Sequence, residues 1–240
     1  MLSSGRTDTG IKRNSNQDCI FFSNQPIGPL PNLYIVADGM GGHQAGDHAS
    51  RMAIDITVDF VKASTLENPI AVLKRAMIFA NNEIYKAAST DPELAGMGTT
   101  MVVAVAMDGK LYVANVGDSR LYAIGSDIRQ ITMDHSLVEE MIRRGELERK
   151  KGRNHPEKNI ITKAMGSKEE IIPDFFEIDI NPKEKYLLCS DGLSNMVEDD
   201  EIRDIVADHD DLEGIADALV ERANYYGGSD NISVVIISEE

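Results

Sequence analysis

The stretch Leu33-Tyr34-Ile35-Val36-Ala37-Asp38-Gly39 is a run of apolar, β-prone residues that ends in Asp-Gly. Asp118, Asp191 and Asp230 also stand at the edges of apolar runs, beside small or turn-forming residues. Taken alone, each of these sites favours a turn, because Asp-Gly is also a common hairpin signal. If the strands lie side by side, however, the four carboxylates converge on one rim, and oxygen ligands suit hard cations such as Mg²⁺ or Mn²⁺. The recurrence therefore favours a metal cluster.

The composition limits the class of protein. The chain has 240 residues, 42% of them hydrophobic, with a formal charge of −16 and no Trp. This length, without a Pro- or Ser-rich linker, predicts one domain over residues 1–240 with an aliphatic core. The negative charge disfavours nucleic acid and anionic membranes as partners.

Further expectations concern the location and state of the chain. No apolar run is long enough for a signal peptide or a membrane span, so we expect a cytoplasmic protein without membrane insertion. Cys19 and Cys189 are too few for a disulfide framework, and we expect free thiols. No coiled-coil repeat or exceptional apolar stripe demands a second subunit, so we expect a monomer.

Residue periodicity predicts the secondary structure. Helices arrive in pairs between groups of strands, which favours antiparallel sheets covered by helices over a doubly wound parallel sheet. The charged stretch from Ile142 to Lys163 has little periodicity and predicts either a mobile flap or a solvated loop. The predicted strands are Cys19–Phe22, Leu33–Ala37, Met101–Met107, Leu111–Val116, Leu121–Ile124, Tyr186–Cys189 and Ile232–Ile237, and the predicted helices are Ala45–Val61, Asn68–Ala88, Ser136–Arg144, Asp199–Ala207 and Leu212–Tyr225.

The segment Asp38-Gly39-Met40-Gly41-Gly42-His43 has the glycines of a phosphate-binding loop but not its spacing. No Lys-Ser or Lys-Thr follows, and the third glycine of a dinucleotide fingerprint would fall at Gln44. The glycines would instead let the backbone approach a metal closely, and the carbonyl of Gly39 could itself be a ligand.

Several short motifs follow one another in a fixed order. Together they resemble the metal-dependent protein phosphatase family, protein phosphatase 2C, in its compact bacterial form, from about Thr7 to Ile237. The resemblance implies an α+β fold, a four-layer α-β-β-α sandwich with two central antiparallel sheets flanked by helices, and a flap at about residues 142–165. The motifs are Thr7–Gly10, Arg13, Asn16–Asp18, Asp38–His43, Gly96–Thr100, Gly117–Arg120, Ser190–Gly192 and Gly228–Asn231.

The resemblance also implies a metal site at one end of the sandwich. Asp38 would bridge two ions and Gly39 would offer its carbonyl to one of them. Asp191 and Asp230 would complete the ligands of the other ion. Asp118, together with Asp191, matches the position at which bacterial relatives hold a third ion.

Catalytic residues are implied in the same way. Arg13 matches the phosphate-binding arginine, and Asp18 would orient a metal-bound water. Two positions depart from the family pattern. Gln17 stands where some members carry Glu and offers less charge to the second metal. Many eukaryotic members carry the proposed acid histidine directly after Asp-Gly, where this chain has Met40.

Other polar residues near the motifs have more than one reading. His43 is the histidine closest to the metal motif and is the candidate general acid, but it would equally cap the helix beginning near Ala45. Thr99 and Thr100 lack an identifiable base, which favours a structural role. Ser119 and Ser190 are predicted as shell or turn residues, and His135 is assigned to the cap region of the following helix.

The resemblance implies a protein-serine/threonine phosphatase that needs Mn²⁺ or Mg²⁺, with two core ions and a third. Phosphoserine and phosphothreonine would be hydrolysed by attack of a metal-bridging hydroxide. The partners would be phosphorylated proteins and a cognate bacterial Ser/Thr kinase. A pseudophosphatase that only binds phosphoproteins is the alternative, and it would be supported by loss of a metal aspartate or of Arg13, none of which is lost. An acidic metal-buffering protein would leave the ordered motifs unexplained.

Overall fold

The computed structural model describes residues 1–42 and 45–239 of the chain. A short 3₁₀ turn at Pro92–Leu94 follows the second long helix. The strands are β1 (Leu2–Asp8), β2 (Asp18–Ser23), β3 (Leu33–Met40), β4 (Gly98–Thr99), β5 (Met101–Met107), β6 (Lys110–Val116), β7 (Arg120–Ile124), β8 (Ile128–Gln130), β9 (Asp174–Asp179), β10 (Lys185–Cys189) and β11 (Ile232–Ser238). The helices are α1 (Ala45–Ala63), α2 (Pro69–Thr90), α3 (Leu137–Arg143), α4 (Arg149–Gly152), α5 (Asp191–Ser194), α6 (Asp199–Asp208) and α7 (Leu212–Tyr225).

The strands form two antiparallel sheets. One has the order β1-β11-β10-β7-β8, and the other has the order β2-β3-β5-β6-β9 with β4 paired to β3. The hairpin between β5 and β6 turns at Asp108 and Gly109, whose φ angles are 53° and 74°. Two successive positive φ angles are what a two-residue type I′ turn needs, so the Asp-Gly pair here serves the backbone alone.

Alternate residues of the central strands face different layers. Ile35 of β3 packs with residues of α1 and α2, whereas its neighbour Val36 packs between the sheets. In β11, Val234 packs with residues of α5 to α7, and Val235 packs between the sheets. The layers therefore run helices, sheet, sheet, helices, which confirms the predicted sandwich. Because both faces of these strands are buried, they consist of continuous apolar runs instead of an apolar-polar alternation.

Two of the longer helices, α2 and α7, follow residues whose side chains cap them. Asn68 Oδ1 accepts a hydrogen bond from Ala71 N–H at 2.9 Å, and Pro69 occupies the first helical position of α2. Asp211 caps α7 in the same way by accepting from Gly214 N–H. Asn and Asp are favoured at this position because the side-chain oxygen accepts from a backbone N–H that has no partner within the helix. None of the described helices is long and apolar enough to cross a membrane.

Four strands have no counterpart among the predicted ones, namely β1, β4, β8 and β9. The strand β1, with the sequence Leu-Ser-Ser-Gly-Arg-Thr-Asp, carries no apolar pattern of its own. It pairs with β11 over its whole length, from Leu2 opposite Ser238 to Asp8 opposite Ile232. The apolar neighbour, and not the local sequence, makes this edge segment a strand.

Antiparallel pairing brings particular strand ends to one end of the sandwich. Asp18, at the start of β2, lies opposite Asp38 near the end of β3. Cys189, at the end of β10, lies opposite Arg120 at the start of β7 and opposite Val234 near the start of β11. The segments that follow β6 and β10 and those that precede β2 and β11 therefore lie at the same end.

Candidate metal centre

Aspartates converge at this end of the sandwich. Asp38 is repelled electrostatically by Asp18, Asp191, Asp118 and Asp230. They come from β2, β3, the β6–β7 connection, the start of α5 and the position two residues before β11. The structure thus brings together the four aspartates at the edges of apolar runs and adds Asp18 to them.

Burial and mutual repulsion oppose ionisation of these carboxyl groups. Burial, followed by repulsion from Asp18 and Asp191, raises the pKa of Asp38 well above its usual range. Burial and then Asp191 raise the pKa of Asp118 in the same way. Burial and then Asp230 raise the pKa of Asp191 to about 6, although a hydrogen bond with Asp38 acts in the opposite direction. Cations bound among these groups would favour their ionised forms.

Three carboxylate oxygens in the cluster are buried without a hydrogen-bond partner, namely Oδ1 of Asp18, of Asp118 and of Asp191. Buried polar atoms are rarely left unpaired, because losing water without a replacement costs free energy. A donor set made of oxygen alone fits a hard divalent cation. The residues present therefore fit Mn²⁺ or Mg²⁺.

The cluster is an open arrangement. Within residues 1–42 and 45–239, no three His, Cys, Asp or Glu side chains already form a group suited to holding one ion. Mg²⁺ is typically bound by one or two carboxylates and keeps several waters, so a closed cage of protein ligands is not required. The carboxylates are arranged so that several ions could each contact one or two of them, and among the described residues they do not surround a single ion position.

The backbone of Asp38 is fixed by the two threonines that precede β5. The Asp38 N–H donates to Thr100 Oγ1 at 3.1 Å, and Thr99 Oγ1 donates to the Asp38 carbonyl at 2.9 Å. The hydroxyls of Thr100 and Ser119 lie 2.6 Å apart, which connects Asp38 to the residue after Asp118. The threonines have the structural role predicted for them, and Ser119 lies in the shell around the cluster.

Asp18 is 4% exposed and faces a serine on the next sheet. Ser190 Oγ donates to Asp18 Oδ2 at 2.7 Å, and the Ser233 N–H donates to the same serine oxygen at 2.9 Å. Burial raises the pKa of Asp18 to about 7, although the Ser190 hydrogen bond lowers it. Ser190 thus fixes the carboxyl group of Asp18 beside the cluster.

Asp191 is held close to Asp230 by a tight backbone approach. Asn195 Nδ2 donates to Asp191 Oδ2 at 2.8 Å. A Cβ atom on Gly192 would lie 1.9 Å from the carbonyl oxygen of Asn231, so a side chain at this position has no space. The sequence analysis did not identify Asn195 as a partner of Asp191. Its only sequence signal is that it follows Asp191, the first residue of the short helix α5, by four positions.

Arg13 lies against the cluster. Its Nη2 donates to Asp230 Oδ2 at 2.7 Å, and about half of the Arg13 side chain, 51%, is exposed. The segment that carries Arg13 is anchored by Asn231, whose Nδ2 donates to the carbonyls of Thr9 and Ser15. The sequence did not assign Asn231 a role, although it directly follows Asp230.

Gly39 lies where α1 meets β3. Its N–H donates to the Gln17 carbonyl at 3.1 Å, and a Cβ atom here would lie 2.1 Å from the Gly46 carbonyl oxygen. The close packing requires glycine at this position. His43, the candidate general acid, lies outside the described residues.

A cleft of about 870 Å³ adjoins the cluster, between the α3–α4 region and the α5–α6 region. Asp118, Asp191, Arg149 and Arg153 are among the residues that line it. Arg153 Nε forms an ion pair at 2.9 Å with Glu198, the residue before α6. The cluster is thus accessible from a groove large enough for part of a polypeptide.

Comparison with known proteins gives a consistent result. A family profile described as Protein phosphatase 2C matches residues 10–224. The serine/threonine phosphatase stp of Listeria monocytogenes is 41% identical over 244 residues, covering 98% of this chain and 94% of that protein. The crystal structure of serine/threonine phosphatase Stp1 from Staphylococcus aureus superposes with a TM-score of 0.93 at 34% identity, covering 99% of this chain and 94% of that one. The catalytic domain of serine/threonine protein phosphatase PstP, solved with two manganese ions, superposes with a TM-score of 0.86 at 29% identity, covering 98% of this chain and 96% of that one.

Proposed function

The chain belongs to the protein phosphatase 2C family, and we propose that it is a metal-dependent protein serine/threonine phosphatase. The observation that carries the proposal is the convergence of buried aspartates at one end of the sandwich. Asp18, Asp118 and Asp191 each have a buried oxygen without a hydrogen-bond partner, and the pKa of Asp38 is raised well above its usual range. Without cations such a cluster is unfavourable, and with them it becomes a centre for phosphate-ester hydrolysis. A pseudophosphatase is disfavoured because the chain keeps the metal aspartates and Arg13.

We assign metal-holding roles to particular residues. Asp38 would bridge two cations, with the Gly39 carbonyl contributing to one and Asp191 and Asp230 to the other. Asp118 and Asp191 would hold a third cation, since each retains an unpaired Oδ1 atom. PstP was solved with two manganese ions, which supports Mn²⁺ for the core pair. Mg²⁺ would suit the same oxygen ligands.

When bound, a pair of cations supplies a hydroxide nucleophile at neutral pH and neutralises charge on the phosphoryl group. The chain supplies orientation. The ion pair with Asp230 orients the Arg13 guanidinium and leaves other N–H groups to donate to two phosphoryl oxygens. Asp18 Oδ1 would accept a hydrogen bond from the attacking water. His43 would donate a proton to the leaving oxygen.

The substrates would be proteins phosphorylated on serine or threonine, and a cognate Ser/Thr kinase would form them. The cleft beside Asp118 and Asp191 supports a polypeptide substrate, because a small phosphate ester does not need so large a groove. We also propose that the chain acts as one monomeric, cytoplasmic catalytic domain over residues 1–240, with the flap at about residues 142–165 beside the substrate.

The test compares Asp191→Asn with Asp59→Asn, a matched substitution of an exposed aspartate on α1. Hydrolysis of a phosphothreonine peptide and of p-nitrophenyl phosphate would be measured in Mn²⁺. We expect Asp191→Asn to lose several orders of magnitude in rate, because it removes a charged ligand, and Asp59→Asn to keep the wild-type rate. A wild-type rate in folded Asp191→Asn would contradict the proposal.

A further inference from the structure

His135 contacts the backbone directly beside a cluster aspartate. The Gly117 N–H donates to His135 Nδ1 at 3.0 Å, and the His135 N–H donates to the Gly117 carbonyl at 2.9 Å. His135 therefore bonds to both backbone polar groups of the residue before Asp118, and Asn115 Nδ2 also donates to the Gly117 carbonyl, at 3.2 Å. His135 lies one residue before Ser136, which caps α3, but its ring faces the Asp118 turn instead of the helix.

The hydrogen bonds determine the tautomer of the ring. Since Nδ1 accepts from Gly117, a neutral imidazole carries its proton on Nε2, which donates to Asp174 Oδ2 at 3.1 Å. Lys163 Nζ donates to the other oxygen of Asp174 at 3.2 Å. Burial, aided by the charge of Lys163, lowers the pKa of His135 despite its bond to Asp174, and this favours the neutral ring.

The Asp118 turn needs such external support. Gly117 has φ of 108°, and a Cβ atom there would lie 2.5 Å from Thr100 Cβ. Glycine is required in this conformation, and glycine gives the free backbone the greatest freedom. The position of Asp118 therefore depends on the contacts that hold the turn.

The same histidine lies at the base of the flap. Its carbonyl accepts from the Thr162 N–H at 2.8 Å, and the next residue, Ser136, forms a β-bridge with Ile161. The chain just before the flap thus pairs with residues 161–162 near the flap's C-terminal end. His135 bonds to Thr162 through its carbonyl, and to Gly117, the residue before Asp118, through its ring and its N–H.

We propose that His135 is a positioning residue that fixes the Gly117–Asp118 turn against the base of the flap. Its Nδ1 atom is the essential acceptor, and its role is exerted through Gly117, not through contact with substrate. The third cation, which we expect to be the most weakly held, would be affected through Asp118, and this consequence rests on the ligand role proposed above for Asp118.

Two substitutions separate the two contacts of the ring. His135→Asn keeps an acceptor near the position of Nδ1 and loses the Asp174 contact. His135→Gln keeps an N–H near Nε2 and loses the Nδ1 acceptor. His155→Ala is the matched control, because His155 belongs to the flap and its ring accepts only from the Glu157 N–H in the described part of the chain.

Hydrogen exchange of the Gly117 amide would be measured in metal-free protein, and Mn²⁺ binding would be measured by calorimetry. We expect His135→Gln to speed Gly117 exchange by about tenfold or more and to weaken the weakest Mn²⁺ site by about tenfold, as expected for one lost hydrogen bond to a buried group. The affinity of the tighter Mn²⁺ sites should not change in His135→Gln. Gly117 exchange and Mn²⁺ binding in His135→Asn and His155→Ala should both remain close to those of the wild type.

The outcomes distinguish this proposal from the one on which it rests. Equal Gly117 exchange in His135→Gln and His135→Asn, or equal weakening of every Mn²⁺ site, would overturn the role of His135. Wild-type protein that binds only two Mn²⁺ ions would overturn the ligand role of Asp118, while its phosphatase activity and the Gly117 exchange result would stand. If His135→Gln is too unstable to measure, a normal melting temperature of His135→Asn supports the acceptor role, and equal instability of both variants refutes it.

Discussion

Raising the pH of metal-free protein from 5 to 7 is expected to destabilise it. Burial and neighbouring carboxylates raise the pKa of Asp18 to about 7 and that of Asp191 to about 6, against 3.8 for an ordinary aspartate. In this interval the folded chain binds more protons than the unfolded chain, so the free energy of unfolding falls as the pH rises. The stabilisation is complete below about pH 4 and is lost as the pH passes through these folded-state values.

The magnitude follows from the number of extra protons bound by the folded chain. Each extra proton changes the free energy of unfolding by about 1.4 kcal/mol per pH unit. Asp18 and Asp191 both contribute between pH 5 and 6, and mainly Asp18 contributes between pH 6 and 7. The expected loss from these two groups is on the order of 4 kcal/mol, or about 10 °C in melting temperature for a chain of this size. Asp38 and Asp118, whose pKa values burial also raises, act in the same direction and add to this loss.

Differential scanning calorimetry in EDTA at several pH values measures this dependence. Asp18→Asn removes one titrating group and should flatten the dependence and raise the melting temperature at pH 7, whereas Asp59→Asn should change neither. Saturating Mn²⁺ should restore stability at pH 7, because bound cations replace the protons. A metal-free melting temperature that is constant or rises from pH 5 to 7, with the same slope in Asp18→Asn, would refute the reasoning.

Three further substitutions test the geometry. Gly192→Ala introduces a Cβ atom 1.9 Å from the Asn231 carbonyl oxygen. The substitution should lower the free energy of unfolding by about 1–3 kcal/mol, because the site becomes overpacked, and it should weaken Mn²⁺ binding. A melting temperature and a Mn²⁺ affinity equal to those of the wild type, both measured by calorimetry, would contradict this expectation. Arg13→Ala removes a charged donor and should raise KM for p-nitrophenyl phosphate and the inhibition constant of inorganic phosphate by about 10- to 100-fold, whereas unchanged values would remove Arg13 from substrate binding. His43→Ala should abolish the limb of the kcat pH profile that reports the general acid, and an identical profile would exclude that role.

Local patterns predicted antiparallel sheets covered by helices and aspartates at the strand ends, whereas the four-layer order was implied by the family resemblance. Apolar runs such as Leu33–Ala37 are dictated by burial on two faces, and an aspartate at the end of each run marks where the strand leaves the core. Pairing of such strands brings Asp38, Asp191 and Asp230 together, but the pattern alone left turns and metal ligands open, and the motifs around the aspartates favoured ligands.

The contacts that support the rim were not predictable in this way. Asn231 anchors the carbonyls of Thr9 and Ser15 across more than 200 positions of sequence separation. His135 reaches Gly117 in another loop. Such hydrogen bonds have no periodicity, because they depend on how two loops meet after the sheets have formed. The edge strand β1 was not predicted for a related reason. It has no apolar pattern of its own, and it forms a strand because it pairs with the apolar strand β11.

Hydrolysis of a phosphothreonine peptide by chelated wild-type protein, followed by titration with Mn²⁺, tests the central claim most directly. The aspartate cluster can act only through bound cations, so we expect no turnover in EDTA and full recovery as Mn²⁺ saturates at least two sites. Turnover that persists after complete removal of metal, or Mn²⁺ binding without any turnover, would contradict a metal-dependent phosphatase.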